Sequence, residues 1–162
     1  MYKLDYLSPI GVLEVIGTEE AVVSILFTET EKPVHVKQPA TPQVLMDAYG
    51  QLDEYFKGER QTFTFPFTVD GTLFQKKVWE SLQEIPFGQT ASYKDIAVSI
   101  GNDQAIRAVG SANGKNKLSI VIPCHRIIGS NGKLTGYAGG LWRKEWLLQH
   151  ERRNLYINTS NH

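Results

Sequence analysis

The sequence predicts an α+β fold in two parts, a small sheet-and-helix unit over residues 1–70 and a mostly helical unit over residues 71–162. Three observations predict it. Runs of β-branched and aromatic residues crowd the first 27 positions, whereas apolar residues at helical spacing dominate after position 71. Formal charge also divides near Val69-Asp70-Gly71: residues 1–70 hold 5 Lys+Arg against 11 Asp+Glu, and residues 71–162 hold 12 against 6. The neutral whole is therefore a −6 half joined to a +6 half, and the basic half suits a polyanionic partner.

The elements follow in order. Tyr2–Leu7 is a short extended run, and Ser8-Pro9-Ile10-Gly11 has turn chemistry. Val12–Ile16 and Ala21–Phe27, separated by Gly17–Glu20, form an antiparallel hairpin. Residues 29–40, with Pro33 and Pro39, form an exposed loop. Thr41-Pro42 supplies an N-cap and a first-turn proline. Val44, Leu45, Ala48, Leu52, Tyr55 and Phe56 then make one face of a helix that stops at Gly58. Phe63–Phe67, interrupted by Pro66, is extended.

In the second half, Phe74, Val78, Leu82 and Ile85 stripe a helix over residues 73–84, ended by Pro86 and Gly88. Ser92 and Asp95 signal the N-terminus of the next helix. Gly101-Asn102-Asp103 is a tight turn, and residues 104–112 form a short helix, completing the outline of a helix-turn-helix. Apart from Gln104 and Arg107, that second helix carries mostly small residues (Ala105, Ala108, Gly110, Ser111). It lacks the long donors and acceptors needed to read bases in a major groove. Small residues permit close backbone approach to a minor groove with little sequence discrimination, and equally permit tight packing in a plain helical hairpin. The residues alone leave both readings open.

The chemistry centres on Pro123-Cys124-His125-Arg126. It follows the apolar run Leu118–Ile122, which reads as a buried strand. Cys124 is the only cysteine, so it forms neither an intramolecular disulfide nor a thiolate-rich zinc site, and a reducing, cytoplasmic setting is expected. No run approaches the length of a membrane span, and the N-terminus lacks signal-peptide character. Asn158-Thr159-Ser160 is a sequon-like match in a polar tail. A thiol with an ordinary pKa of about 8.5 needs a base or a cation to react near neutrality. His125 and His150 are candidate bases, and Glu151 is the carboxylate at hand to orient one. On these residues alone, a thiol hydrolase and a group transferase are level.

Ile122-Pro123-Cys124-His125-Arg126 resembles the active-site signature of the O6-alkylguanine-DNA alkyltransferases, the methylated-DNA–protein-cysteine methyltransferases. The resemblance extends through Phe87-Gly88, Ser92-Tyr93, Arg107–Gly110, Asn113–Asn116, Gly136–Gly140, Lys144–Leu148 and His150-Glu151, covering nearly all of residues 72–151. It implies a ribonuclease H-like N-terminal domain and a winged helix-turn-helix-like C-terminal domain.

By this resemblance, Cys124 accepts an alkyl group from O6 of a guanine flipped out of duplex DNA, stoichiometrically and irreversibly. His125 takes the thiol proton through a water, Glu151 orients His125, and Asn116 holds the loop before the cysteine. Tyr93 crowds the target phosphate and protonates the leaving base, and Arg107 fills the gap in the duplex. Pro123, Tyr137 and Ala138 wall the guanine pocket. Ala138 stands where some relatives have serine, so a hydroxyl contact to O6 is lost there.

Thr72, Asn102, Ala105, Gly110 and Ser130 are expected DNA contacts. The implied partner is duplex DNA bound through the minor groove by a monomer, with O4-alkylthymine a further possible substrate. No cofactor is expected, and no metal, because the cysteines that hold zinc in some relatives are missing. A lesion-binding relative without the cysteine, an unrelated cysteine hydrolase and a regulatory DNA-binding module are the competing readings. Cys124 opposes the first, the extended motifs the second, and the small-residue helix the third.

Overall fold

The computed structural model of the chain describes residues 1–156. Two compact units emerge, Met1–Val69 joined by Asn154, Leu155 and Tyr156, and Asp70–Arg153. The second unit was expected to run to residue 162. Instead Asn154 and Leu155 group with the first, where Gln61 Nε2 donates to Leu155 O at 3.2 Å. The sequon-like Asn158-Thr159-Ser160 lies outside the described residues.

In the first unit, β1 (Tyr2–Ser8), β2 (Gly11–Gly17) and β3 (Val22–Phe27) form an antiparallel meander in the order β1-β2-β3. The β1–β2 turn is closed by Ser8, whose Oγ donates to Gly11 O at 2.6 Å and accepts from Ile10 N at 3.1 Å. Helix α1 (Gln43–Phe56) packs Leu45, Ala48, Leu52 and Tyr55 against this sheet, burying Leu13, Val15 and Ile25 with them. The expected cap differs by one residue. Pro42 is the N-cap, and Thr41 Oγ1 is drawn away to accept from Gln38 N at 2.8 Å. Phe67 makes only an isolated bridge to Val22. The 29–40 loop is pinned by buried Asp5, whose Oδ2 accepts from Val34 N and His35 N at 2.8 and 2.9 Å.

The second unit is helical. Helix α2 (Leu73–Gln83) starts with a capping box between Thr72 and Gln75. Helix α3 (Tyr93–Ser99) starts with another between Ser92 and Asp95. Gly101, at φ 79°, turns the chain into α4 (Ile106–Gly114). That helix begins two residues later than its pattern suggests, because Ala105 N closes a turn on Asn102 O at 3.1 Å. Helices α2, α3 and α4 pack on one another, and Trp79 Nε1 on α2 donates to Ala112 O at the end of α4 at 2.9 Å. A short parallel pair, β4 (Ala91–Ser92) with β5 (Ile127–Ile128), and helix α5 (Leu141–Arg153) complete the unit.

The expected strand over residues 118–122 is absent. Those residues form a compact turn in which Val121 N bonds Ser119 O and Ile122 N bonds Leu118 O, at 2.8 and 3.0 Å. Leu118, Ile120 and Ile122 are buried there, and burial without a sheet is what the apolar run encodes. No described helix is long and apolar enough to cross a membrane.

Candidate active site

The site assembles where this turn meets α5. Asn116 clamps the turn at both ends: Leu118 N donates to Asn116 Oδ1 at 2.9 Å, and Asn116 Nδ2 donates to Ile122 O at 2.8 Å. Between the clamps Ile120 has φ 73°, an unfavourable conformation for a β-branched residue that only its surroundings can hold. Pro123 then starts a single 3-10 turn, Cys124–Arg126. The turn matters because adjacent side chains on a strand would point to opposite faces. Here Cys124, His125 and Arg126 are all buried within one turn.

Helix α5 presents Lys144, Leu147, Leu148 and Glu151, at i, i+3, i+4 and i+7, on its buried face. Glu151 is the hub. Its Oε2 accepts from His125 Nε2 at 2.7 Å and from Arg126 Nη2 at 3.0 Å. Its Oε1 accepts from Arg126 Nε at 2.8 Å and Gly88 N at 3.3 Å. Arg126 Nη1 also donates to Ile85 O at 2.7 Å, and its guanidinium lies over the Phe87 ring. Burial opposes ionisation of Glu151, but His125 and Arg126 outweigh it and hold the carboxyl well below the usual range.

Burial lowers the pKa of His125, against the pull of Glu151. A neutral His125 donating through Nε2 to a carboxylate has its lone pair on Nδ1. That atom is buried and has no hydrogen-bond partner among the described residues. Burial pushes the Cys124 thiol up, while the Asn116 amide and the Lys144 charge act in the opposite direction.

Cys124, His125, Glu151 and Asn116 are therefore brought together. Tyr93 starts α3, with its hydroxyl 2.6 Å from Thr135 Oγ1. Its ring also lies against Gly110, 3.7 Å from where a side chain there would begin. Tyr137 is half-buried with its hydroxyl in the interior, and burial raises the pKa of that hydroxyl well above its ordinary value. Ala138 is exposed, and Gly140 N closes the loop on Tyr137 O at 2.9 Å.

Arg107 is exposed in the first turn of α4, with Asn102 exposed and Ala105 half-buried just before it. Ser130 is exposed in the turn where Gly129 N bonds Lys133 O. The Thr72 hydroxyl is already engaged, accepting from Gln75 N at 3.1 Å. His150, the other candidate base, is stacked on Trp146 with ring centroids 4.9 Å apart.

Sequence reasoning missed Arg126 and Lys144. Arg126 finds its carboxylate 25 residues away, which no local pattern reveals. Lys144 did leave a signal, a cation sharing the helical face of Leu147, Leu148 and Glu151.

Known proteins match over most of the chain. Residues 73–153 match the DNA binding domain of 6-O-methylguanine DNA methyltransferase, and residues 1–69 match its ribonuclease-like domain. A methylated-DNA–protein-cysteine methyltransferase of Methanosarcina barkeri is 47% identical over 152 residues, covering 91% of this chain and 95% of that one. A constitutive one of Bacillus subtilis is 46% identical over 153 residues, covering 90% and 92%. The crystal structure of Mycobacterium tuberculosis OGT in complex with DNA aligns with a TM-score of 0.85 at 41% identity, covering 95% of this chain and 94% of that one. With both domains matched and such identities over nearly full lengths, the chain belongs to the 6-O-methylguanine DNA methyltransferase family.

Proposed function

We propose that Cys124 is the acceptor in the reaction this protein carries out, DNA repair by transfer of an alkyl group to a protein cysteine. The observation that carries this reading is the polarity of the Cys124-His125-Glu151 group. Glu151 occupies Nε2, so the basic Nδ1 remains to take the thiol proton through a bridging water. The thiolate attacks the alkyl carbon of O6-alkylguanine. A carbon–sulfur bond forms, the carbon–O6 bond breaks with its electron pair passing to the base, and Tyr93 supplies the proton that neutralises the base. Asn116 holds the turn that aims Cys124.

The product is a thioether, which water does not reverse as it would a thioester. The protein is then spent after one event and needs no cofactor. A target atom inside a base pair is out of reach of a buried thiol, so the nucleotide must be flipped, at a cost of a few kcal/mol. The small exposed surface of α4 supports minor-groove docking, with Arg107 filling the vacated space and Gly110, Ala105 and Asn102 at the backbone. Pro123, Tyr137 and Ala138 wall the pocket, and flanking phosphates are reached by Ser130 and by Thr72, whose hydroxyl accepts from Gln75 N and keeps its proton to donate. The reading is of a monomer with low sequence preference, working in a cytoplasmic, reducing setting that keeps Cys124 a thiol.

The test is to incubate the protein with a duplex carrying one labelled O6-methylguanine and separate the products under denaturing conditions. Label should follow the protein, and Cys124→Ala should abolish transfer. Label transfer by the alanine variant would refute the assignment of Cys124.

A further inference from the structure

Lys144 is a charge that the reaction above leaves without a task. Its side chain is completely buried on the inner face of α5. Its Nζ donates to the backbone oxygen of Thr135 at 3.0 Å, and no carboxylate forms an ion pair with it among the described residues. The neighbouring buried cation, Arg126, has Glu151; Lys144 has a carbonyl dipole only. An ammonium withdrawn from water without an anion either loses its proton or sits where an anion is to appear.

The titratable and charged groups facing this space are few. They are Cys124, His125 and Arg126 in the 3-10 turn, Tyr137 in the loop before α5, and Arg143 and Glu151 on the same helix. Glu151 is taken by His125 and Arg126, and Tyr137 stays a neutral phenol. The remaining source of negative charge is the sulfur. Lys144 lies on the buried face of α5, the helix that packs on the turn carrying Cys124, and each group favours the charged form of the other, although burial still lowers the pKa of Lys144 to about 8.

We propose that Lys144 is the counter-ion of the Cys124 thiolate, held in place by the Thr135 carbonyl. The inference rests on the reading of Cys124 as acceptor and adds to it a consequence. Alkylation converts the sulfur to a thioether, which carries no charge at any pH. The pair is then dissolved, and Lys144 is left buried beside a neutral neighbour. Coupling between two sites is reciprocal, so whatever Lys144 contributes to the thiolate, the thiolate contributes to the ammonium.

Cys124 is the only cysteine, so its reactivity is readable without DNA. The rate of carbamidomethylation by iodoacetamide, followed by intact mass across pH, reports the thiolate fraction. Here the thiolate displaces iodide and the thiol proton goes to water. For Lys144→Met the profile should shift upward by about one pH unit, an approximately tenfold loss of rate near neutrality that is recovered in alkali. Superimposable profiles would overturn the proposal.

A second measurement needs no substitution. With 13Cε-labelled lysine in the wild-type chain, Lys144 should titrate at lower pH after Cys124 is carbamidomethylated than before. An unchanged titration would equally overturn it. Methyl uptake from O6-methylguanine DNA is scored separately on the wild type. A failure there removes the acceptor reading and leaves the Lys144–Cys124 result to stand or fall by itself.

Discussion

Glu151 concentrates the electrostatics of the site in one residue, and its loss has a calculable sign. In Glu151→Gln the buried guanidinium of Arg126 keeps its place and loses its counter-charge. Breaking a buried pair from one side costs about 3–5 kcal/mol. Urea unfolding should show that loss, and methyl transfer should slow because Nε2 of His125 no longer faces a carboxylate. The same residue sets an acid limit. Its folded pKa is depressed below the ordinary 4.5, so its contribution to stability is complete above that pH and drains away as pH falls through the folded value. His125, also depressed, adds a loss of the same sign beginning below its ordinary 6.5. Thermal unfolding should therefore weaken steadily from about pH 6 downward, and Glu151→Gln should flatten that slope.

At the scale of elements, the turn over residues 118–122 and helix α4 do the positioning. Asn116→Ala removes bonds at both ends of the turn while Ile120 still holds φ 73°. A loss of roughly 2–3 kcal/mol is expected, with proteolysis or hydrogen exchange rising first at residues 118–124. Arg107→Ala, exposed on α4, should leave unfolding unchanged. It should slow repair of duplex substrate at least about tenfold, since one inserted side chain replaces lost stacking, while reaction with the free base O6-methylguanine is unaffected. Equal slowing of both substrates would undo the flipping role.

Legibility followed locality. The strands of the first unit, α1 and the Ser92–Asp95 cap of α3 are readable because period and capping chemistry lie within a few residues. The Thr72–Gln75 capping box is equally local, yet the family resemblance points to Thr72 only as a DNA contact. Leu118–Ile122 reads as strand because an apolar run specifies burial alone, and the partner that makes it a turn is a side chain, Asn116. The His125–Glu151 pair was nameable from the signature, but the Arg126–Glu151 fork, spanning 25 residues, belongs to the folded chain alone.

The whole molecule carries its charge as two opposed halves, −6 over residues 1–70 and +6 over residues 71–162. Affinity for undamaged duplex should fall steeply between about 50 and 200 mM salt, as counter-ion release requires, with little dependence on sequence. Alkylated protein should melt below unmodified protein, because an added methyl must enter a packed site. A protein that acts as a reagent with a single acceptor is consumed one molecule per lesion. The most direct measurement is a titration with excess duplex containing labelled O6-methylguanine, counting methyl groups per chain by intact mass and locating them by peptide mapping. Uptake should saturate at one methyl per chain, on the peptide carrying Cys124. Continued turnover, or methyl placed elsewhere, would contradict it.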